Sequence, residues 1–416
     1  MPSPGTRDSR TPRAGGDPAR RRPRLTGRRL GLSLGLVAGI GLLVGCTNFG
    51  YYTRALVGGA KVLTKRRAVE KVIADDTTDP ALRRQLELAL EIRDFASSDL
   101  LLPDNESYRK YADLGRPYAV WNVVAAPELS VEAHTWCFVI VGCVTYRGYF
   151  SERRAEDFAG KLRREGYDVD VGGVVAYSTA GWFADPLLNT FIQRPEPHLA
   201  GLIFHELAHQ VVYIKDDTTF NESLAMTIEE EGALRWLVSR GRQGEIESYR
   251  LYKRRERQFT ELVFAYRDRL RVVYEAEATE DWKRRRKAEV LAELRAVYEE
   301  MRESWDGWPG FDGWFERDPN NARLALIGVY HQQIPAFREL LERHAGRLEP
   351  FYEEVREIAA LDPSERDLRM RALMRSSTPL SGRSSAETEA SAGPAGSDDG
   401  VPAVRPLPPA GEKAPS

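Results

Sequence analysis

Cysteine is almost missing from this chain: Cys46, Cys137 and Cys143 are the only three in 416 residues, so at most one internal disulfide can form. Histidine is nearly as scarce, with six in all, and any regular spacing among them is therefore informative. Long apolar runs are lacking too. The longest, Leu30 to Gly45, is about sixteen residues, short of the roughly twenty that a stable membrane span requires. Beyond the first 45 residues a basic stripe is also absent. The 60 Lys and Arg are offset by 62 Asp and Glu overall, and in the charge-dense stretch Gly241 to Trp305 the signs are mixed, which argues against nucleic acid as a partner. The composition otherwise is that of a globular protein.

What the chain does have is His205-Glu206-Leu207-Ala208-His209. On a helix His205 and His209 project from one face at a separation that one ion can bridge, and Glu206 is free to hold a water beside it. Random placement of so few histidines gives about 0.013 expected matches to this pattern. The surrounding Leu202, Ile203, Phe204, Leu207, Ala208, Val211 and Val212 make an apolar helix, where imidazoles need a reason to be buried. His205 and His209 are therefore read as ligands of Zn2+, and Glu206 as a general base.

Catalytic zinc takes three protein ligands and keeps a fourth position for water. The next carboxylates downstream are Asp216, Asp217, Glu222, Glu229, Glu230 and Glu231. Glu222 is preferred, because Phe220-Asn221-Glu222-Ser223-Leu224-Ala225 begins a long helical run and puts a carboxylate in its first turn. Glu229 is the alternative, on the same helix face at i+7. His134, His198 and His344 have no ligand spacing and read as ordinary surface or core residues.

His-Glu-Leu-Ala-His-Gln followed by Asn-Glu-x-x-Ala resembles the gluzincin metallopeptidases, in which the Glu of an Asn-Glu pair on a second helix is the third ligand. Here twelve residues separate His209 from Glu222, fewer than in the large aminopeptidases of that clan, and nineteen separate it from Glu229. The resemblance implies a Tyr or His oxyanion donor from a distant segment, for which Tyr330 and His331 stand in Asn321 to Gln333. That stretch also suits a plain core helix. The resemblance further implies that the strand Val174 to Trp182 pairs with substrate backbone, with Ala180 and Gly181 touching the peptide. The strand lacks the acid that grips a free amine in the large aminopeptidases, and Asp185 is the nearest.

Residues 1–45 read as a targeting region. Nine Arg against two Asp give them a charge of +7. The apolar stretch ends Leu43-Val44-Gly45-Cys46, which resembles a bacterial lipobox. That implies acylation of Cys46 and a lipid anchor on the periplasmic face of the cell envelope, with Thr47 favouring the outer membrane. In such a compartment Cys137 and Cys143 invite a disulfide. Six residues of straight strand would hold them about 20 Å apart, so a bridge requires a reversal, and Gly142 is the turn-prone residue between them. Two buried thiols are the alternative.

The segment 46–375 reads as one metallopeptidase domain, and 376–416, rich in Ser, Pro, Gly and Ala, as a disordered tail. Helical spacing runs from Tyr51 to Ala96. Strand signals follow at Tyr118 to Val124, Thr135 to Phe150 and Asp168 to Tyr177, with a helix from Ser151 to Glu165. The sheet-containing part thus spans about 100–200 and the catalytic helices about 200–240. Residues 241–305 form a charged amphipathic helical arm and 320–375 the C-terminal helices. The arm reads as a buttress rather than a lid or docking surface, and no partner for it is identified. The expected fold is α+β and helix-rich: a gluzincin-like arrangement of small upper sheet, His-Glu helix, second ligand-bearing helix and long helical hairpin.

Over Cys46 to Ser364 the chain resembles a family of bacterial proteins named as aminopeptidases, lipoproteins of the periplasm. They share the lipobox, the segments Leu102 to Tyr108, Arg147 to Phe150 and Gly181 to Pro186, and the His-Glu helix. Asn105, Arg147 and Asp185 in those segments either line a cleft or cap turns. The resemblance implies a zinc peptidase acting on peptides, with an endopeptidase or a non-catalytic envelope lipoprotein with structural zinc as the alternatives.

Overall fold

The computed structural model describes residues 57–138, 142–176 and 184–376. Cys46, Ala180, Gly181 and the expected tail beyond Ser376 lie outside the described residues, as does the targeting region. The fold is α+β and rich in helix, with small sheets. The helical pattern expected up to Ala96 is interrupted by a strand, β1 (Arg67–Ala68), before α1 (Val69–Ile73) and α2 (Pro80–Ser98). Asp79 caps α2 through Ala81 and Leu82 N–H, with Pro80 at its first position, where a missing N–H does no harm.

β2 (Lys110–Ala112) pairs with β1 antiparallel and with β8 (Leu187–Leu188) parallel. The second sheet has the order β6 (Arg147–Tyr149), β3 (Val120–Pro127), β7 (Tyr167–Val174), all antiparallel. On one face of it, Trp121, Val123, Ala125, Val169 and Val171 pack on Ala155, Ala159 and Leu162 of α3 (Glu152–Arg164). The alternate residues Asn122, Val124, Asp170 and Val174 face the other way. There they bound a cavity of about 290 Å³ whose opposite wall is Arg323, Leu326, Ile327 and His331. β7 ends at Val174, where Ala119 N–H still bonds its carbonyl; Val175 and Ala176 are not in strand, and the rest of the strand expected up to Trp182 lies outside the described residues.

The apolar run expected as strand from Thr135 is broken into β4 (Trp136–Phe138), β5 (Gly142–Val144) and β6. β4 and β5 are antiparallel with Cys137 opposite Cys143, and the two are joined in a disulfide with Cα atoms 3.9 Å apart. Gly142 has φ +77°, a conformation that only glycine adopts readily.

Helices α4 (Glu196–Ala208) and α5 (Thr218–Ser239) pack face to face at the centre of the largest core, among Leu199, Ile203, Phe204, Leu207, Phe220, Leu224 and Ile228. The arm is α6 (Gln243–Glu275) and α7 (Glu280–Ser304), with Leu262, Val263, Tyr266 and Leu270 against Val290, Leu294 and Tyr298. Each such fully buried side chain is worth about 1.5–3 kcal/mol. The arm is tied down on the sheet: Lys287 Nζ lies 2.6 Å from Asp168 and 2.9 Å from Glu128 O, and Arg284 pairs with Glu128. A short helix, α8 (Asp312–Phe315), stacks Phe315 on Tyr298. Then come α9 (Asn321–His331), α10 (Ile334–Arg343), α11 (Leu348–Ala360) and α12 (Pro363–Ser376). Asn321, at the head of α9, takes the Tyr274 hydroxyl on its oxygen and donates to the Pro127 and Glu128 carbonyls, locking arm, sheet and α9 together.

Candidate metal centre

The last turn of α4 carries His205, and His209 continues it as a cap residue in α geometry, its N–H on the His205 carbonyl at 3.4 Å. A loop then turns the chain into α5. Asp217 caps that helix through Phe220 N–H and is itself held by the buried Arg366 at 2.9 Å. Asn221 clamps the loop by donating to Ile214 O at 2.7 Å and accepting from Ile214 N–H at 2.8 Å. The Asn of the Asn-Glu pair thus sets the angle at which Glu222 returns to the histidines.

Glu222 Oε2 lies 3.4 Å from His205 Nε2 and 3.7 Å from His209 Nε2, and the three donor atoms fall within 4.8 Å of one another. An ion bound tetrahedrally at roughly 2.1 Å holds its ligand atoms about 3.4 Å apart. The donor set therefore fits one divalent cation. His209 Nδ1 is buried with no hydrogen-bond partner. Glu206, half-buried, is the residue next to His205 on α4.

Glu229 is not part of this triad. It sits two turns further along α5 and takes the other side of the same ring, its Oε2 3.1 Å from His205 Nδ1. Its Oε1 is 3.8 Å from Lys253 Nζ, and that buried ammonium also pairs with Glu256 at 2.7 Å. α5 can come this close because residue 201 is glycine: a Cβ there would meet Glu229 Cγ at 2.9 Å. Two carboxylates thus share one imidazole, one on each nitrogen.

The electrostatics follow. Burial pulls His205 toward neutrality, but its bonds to Glu222 and Glu229 outweigh that and hold it well above the ordinary histidine value. Burial takes His209 down to about 4, against the pull of Glu222 and helped by the charge on His205. Burial resists ionisation of Glu229, yet the His205 bond and the Lys253 charge bring it down to about 2. Glu222 is likewise held below the usual carboxylate range by the histidines in spite of its burial. The donor atoms of His205, His209 and Glu222 could hold a metal ion.

Of the other expected residues, His331 ends α9 close to this group. Burial lowers its pKa, and the charges of Glu256, Lys253 and Glu229 all reach it. Gln333 N–H donates to Ser223 Oγ, next to Glu222. Tyr330 belongs to α9, but its side chain falls outside the described residues. Arg147 stacks on Phe158 of α3. Asn105 donates to Gln210 Oε1 at 2.7 Å, at the end of the His-Glu helix. Asp185 is fully buried. His198 packs edge-on against Tyr252 and His344 pairs with Glu354.

Sequence reading missed Lys253, hidden in a charge-dense helix, and Tyr213, on the loop between the two ligand helices. Tyr213 is half exposed, and its phenol is raised by burial together with the charges of Glu222 and Asp216. The hairpin joined by Cys137 and Cys143 docks on that same loop, the Cys143 N–H donating to the Asp216 carboxylate.

No curated protein and no solved structure matches the chain. A family model described as "Putative aminopeptidase" matches residues 50–370, most of its length, and the chain belongs to that family.

Proposed function

We propose that this protein is a zinc-dependent peptidase of the gluzincin type, held in the cell envelope by a lipid on Cys46 and acting on the free amino end of peptides. One observation carries the reading: the two imidazoles and the Glu222 carboxylate bring three ligand atoms within 4.8 Å of one another, close enough for one ion to bridge. Among the described residues no helix is long and apolar enough to cross a membrane. The anchor at Cys46 is proposed from the lipobox alone.

His205, His209 and Glu222 hold the metal in this reading. When bound, zinc supplies Lewis acidity and brings the acidity of water toward neutral pH. Glu206 takes a proton from the attacking water and returns it to the leaving amine. Glu229 keeps the His205 ring in place from its Nδ1 side, the kind of support that metal-ligating imidazoles ordinarily have. Tyr213, whose phenol feels the Glu222 charge, and His331, whose ring feels that of Glu229, are candidates to meet the substrate. Tyr330 on α9 is the further candidate for the oxyanion, and Ala180 and Gly181 for the peptide backbone.

The test is metal analysis together with turnover. Purified protein should hold one zinc, and Glu206→Gln should keep it while hydrolysis falls by roughly 10²–10⁴-fold. A protein without zinc, or a Glu206→Gln variant as fast as its parent, refutes the reading. Free-amine and N-acetylated peptide libraries separate its exopeptidase half from an endopeptidase, and turnover of neither points to a structural zinc.

A further inference from the structure

Helix α6 turns a short basic face toward α5. Arg250, Lys253, Arg254 and Arg257 stand at i, i+3, i+4 and i+7, neighbouring positions on one side of a helix. Signs are mixed along α6 as a whole, but these four cations line a cavity of about 240 Å³ between the two helices. α5 contributes Glu230 and Leu234 to it. The apolar part of the wall is Leu234 together with Tyr249, which is buried in a cluster with Ala233 and Leu237.

The protein's own acids do not match this charge. Glu230 is the one carboxylate in the wall, and both its oxygens are taken: Arg257 donates to Oε1 at 3.1 Å and Arg338 of α10 donates to Oε2. Two guanidiniums thus share one carboxylate. Burial lowers the Arg257 pKa, Glu230 pulls against that, and the charge of Arg338 lowers it further. Arg250 has only Glu247, in an ion pair at 2.9 Å whose side chains are 52% and 60% exposed, where water screens the attraction. Arg254 makes neither a hydrogen bond nor an ion pair among the described residues. Lys253, by contrast, is buried and held by Glu256 at 2.7 Å and Glu229 at 3.8 Å. It adds positive charge to the wall while its partners lie outside the cavity.

We propose that this cavity binds a phosphate group, with Arg254 and Arg257 donating to its oxygens and Arg250 leaving Glu247 to join them. Guanidiniums are planar forks that match phosphate oxygens. Forks arriving from successive helical turns suit an anion with oxygens on every side better than a planar carboxylate with two. Leu234 and Tyr249 offer apolar surface to whatever the phosphate is attached to. The site is separate from the candidate metal centre, with which it shares only Lys253 as a neighbour: Glu229 stands between that ammonium and His205 Nδ1.

The experiment is thermal unfolding and titration calorimetry of the full-length protein with inorganic phosphate, set against sodium chloride and sodium acetate at equal ionic strength. Phosphate should raise the melting temperature progressively with its concentration, and chloride and acetate should not. Arg254→Gln and Arg257→Gln should each weaken phosphate binding roughly 10-fold or more. Arg254 has no partner to lose, so Arg254→Gln should melt with its parent in chloride, which separates lost binding from lost fold. Arg285→Gln, which removes an exposed arginine of α7 outside the cavity, should bind phosphate as the parent does. Dihexanoylphosphatidic acid, kept below its micelle concentration, distinguishes the sources of the phosphate: tighter binding than inorganic phosphate identifies a lipid headgroup, and equal or weaker binding a free phosphate. No binding by the parent, equal stabilisation by acetate, or parent-like binding in both cavity variants each overturns the proposal. The outcome is independent of zinc and of peptide hydrolysis, because none of His205, His209 and Glu222 lines the cavity.

Discussion

Replacing Glu229 by Gln probes the proposed metal centre from behind, where no proposed ligand is touched. The amide keeps the shape of the side chain and an acceptor for His205 Nδ1, 3.1 Å away, but removes the charge that makes the imidazole a stronger donor to a cation. Loss of such support ordinarily weakens metal binding 10- to 100-fold, about 1.4–2.7 kcal/mol. A second effect falls on Lys253, 3% exposed and 3.8 Å from Glu229. At an effective dielectric constant of 20 that pair attracts by about 4 kcal/mol before desolvation is counted. Glu256, at 2.7 Å, remains to hold the ammonium, so the metal-free variant should lose only about 1–2 kcal/mol of stability. Zinc at a hundred times the parent's Kd stabilises the parent by about 2.7 kcal/mol, and at that same concentration the variant by about 1.4 kcal/mol if binding is tenfold weaker, or about 0.4 if a hundredfold. Competition against a chromogenic chelator gives the affinity, and thermal unfolding with and without zinc gives the linkage. Unchanged zinc affinity would refute the support role. A larger loss in Glu229→Gln than in Glu222→Gln would reverse the two carboxylates' assignments.

Two further perturbations test the frame around the site. Gly232→Ala puts a Cβ 2.6 Å from Phe204 Cδ2 and 2.8 Å from Leu100 Cδ1, both deep in the core. The overpacking should cost about 1–3 kcal/mol despite alanine's better helix propensity, lower the melting temperature and weaken zinc binding, since Phe204 precedes His205; an unaltered melting curve contradicts the packing argument. Cys137→Ser with Cys143→Ser opens a loop whose ends are six positions apart, a change worth about 2 kcal/mol on loop-closure entropy. It should show as a lower midpoint in urea and a less ordered loop at Asp216, and equal midpoints for the parent with and without reductant would exclude it.

How much of this was legible in the chain depended on whether the physics was local. His205, Glu206 and His209 could be read because their relation is one helical turn, which sequence spacing states directly. The choice between Glu222 and Glu229 could not be made from spacing, since i and i+7 share a helix face. The structure uses both: the residues are about 10 Å apart along the helix, and the two nitrogens of His205 give each carboxylate its own partner. The disulfide was undecided for a similar reason. A continuous apolar run reads as one strand until something forces a reversal, and here that reversal brings Cys137 opposite Cys143. Most opaque were the buried cations. Arg93 and Lys253 stand in amphipathic, charge-rich helices where lysine and arginine ordinarily face water, and no local pattern separates an exposed cation from one that carbonyls or carboxylates hold inside. Each is identified only by what surrounds it: backbone oxygens from residues 103–107 for Arg93, two glutamates from different helices for Lys253. Burying a charge is tolerable only with such partners in place. The two positions that looked most ordinary in the sequence are therefore those that most tightly fix the 103–107 loop and the glutamate behind His205.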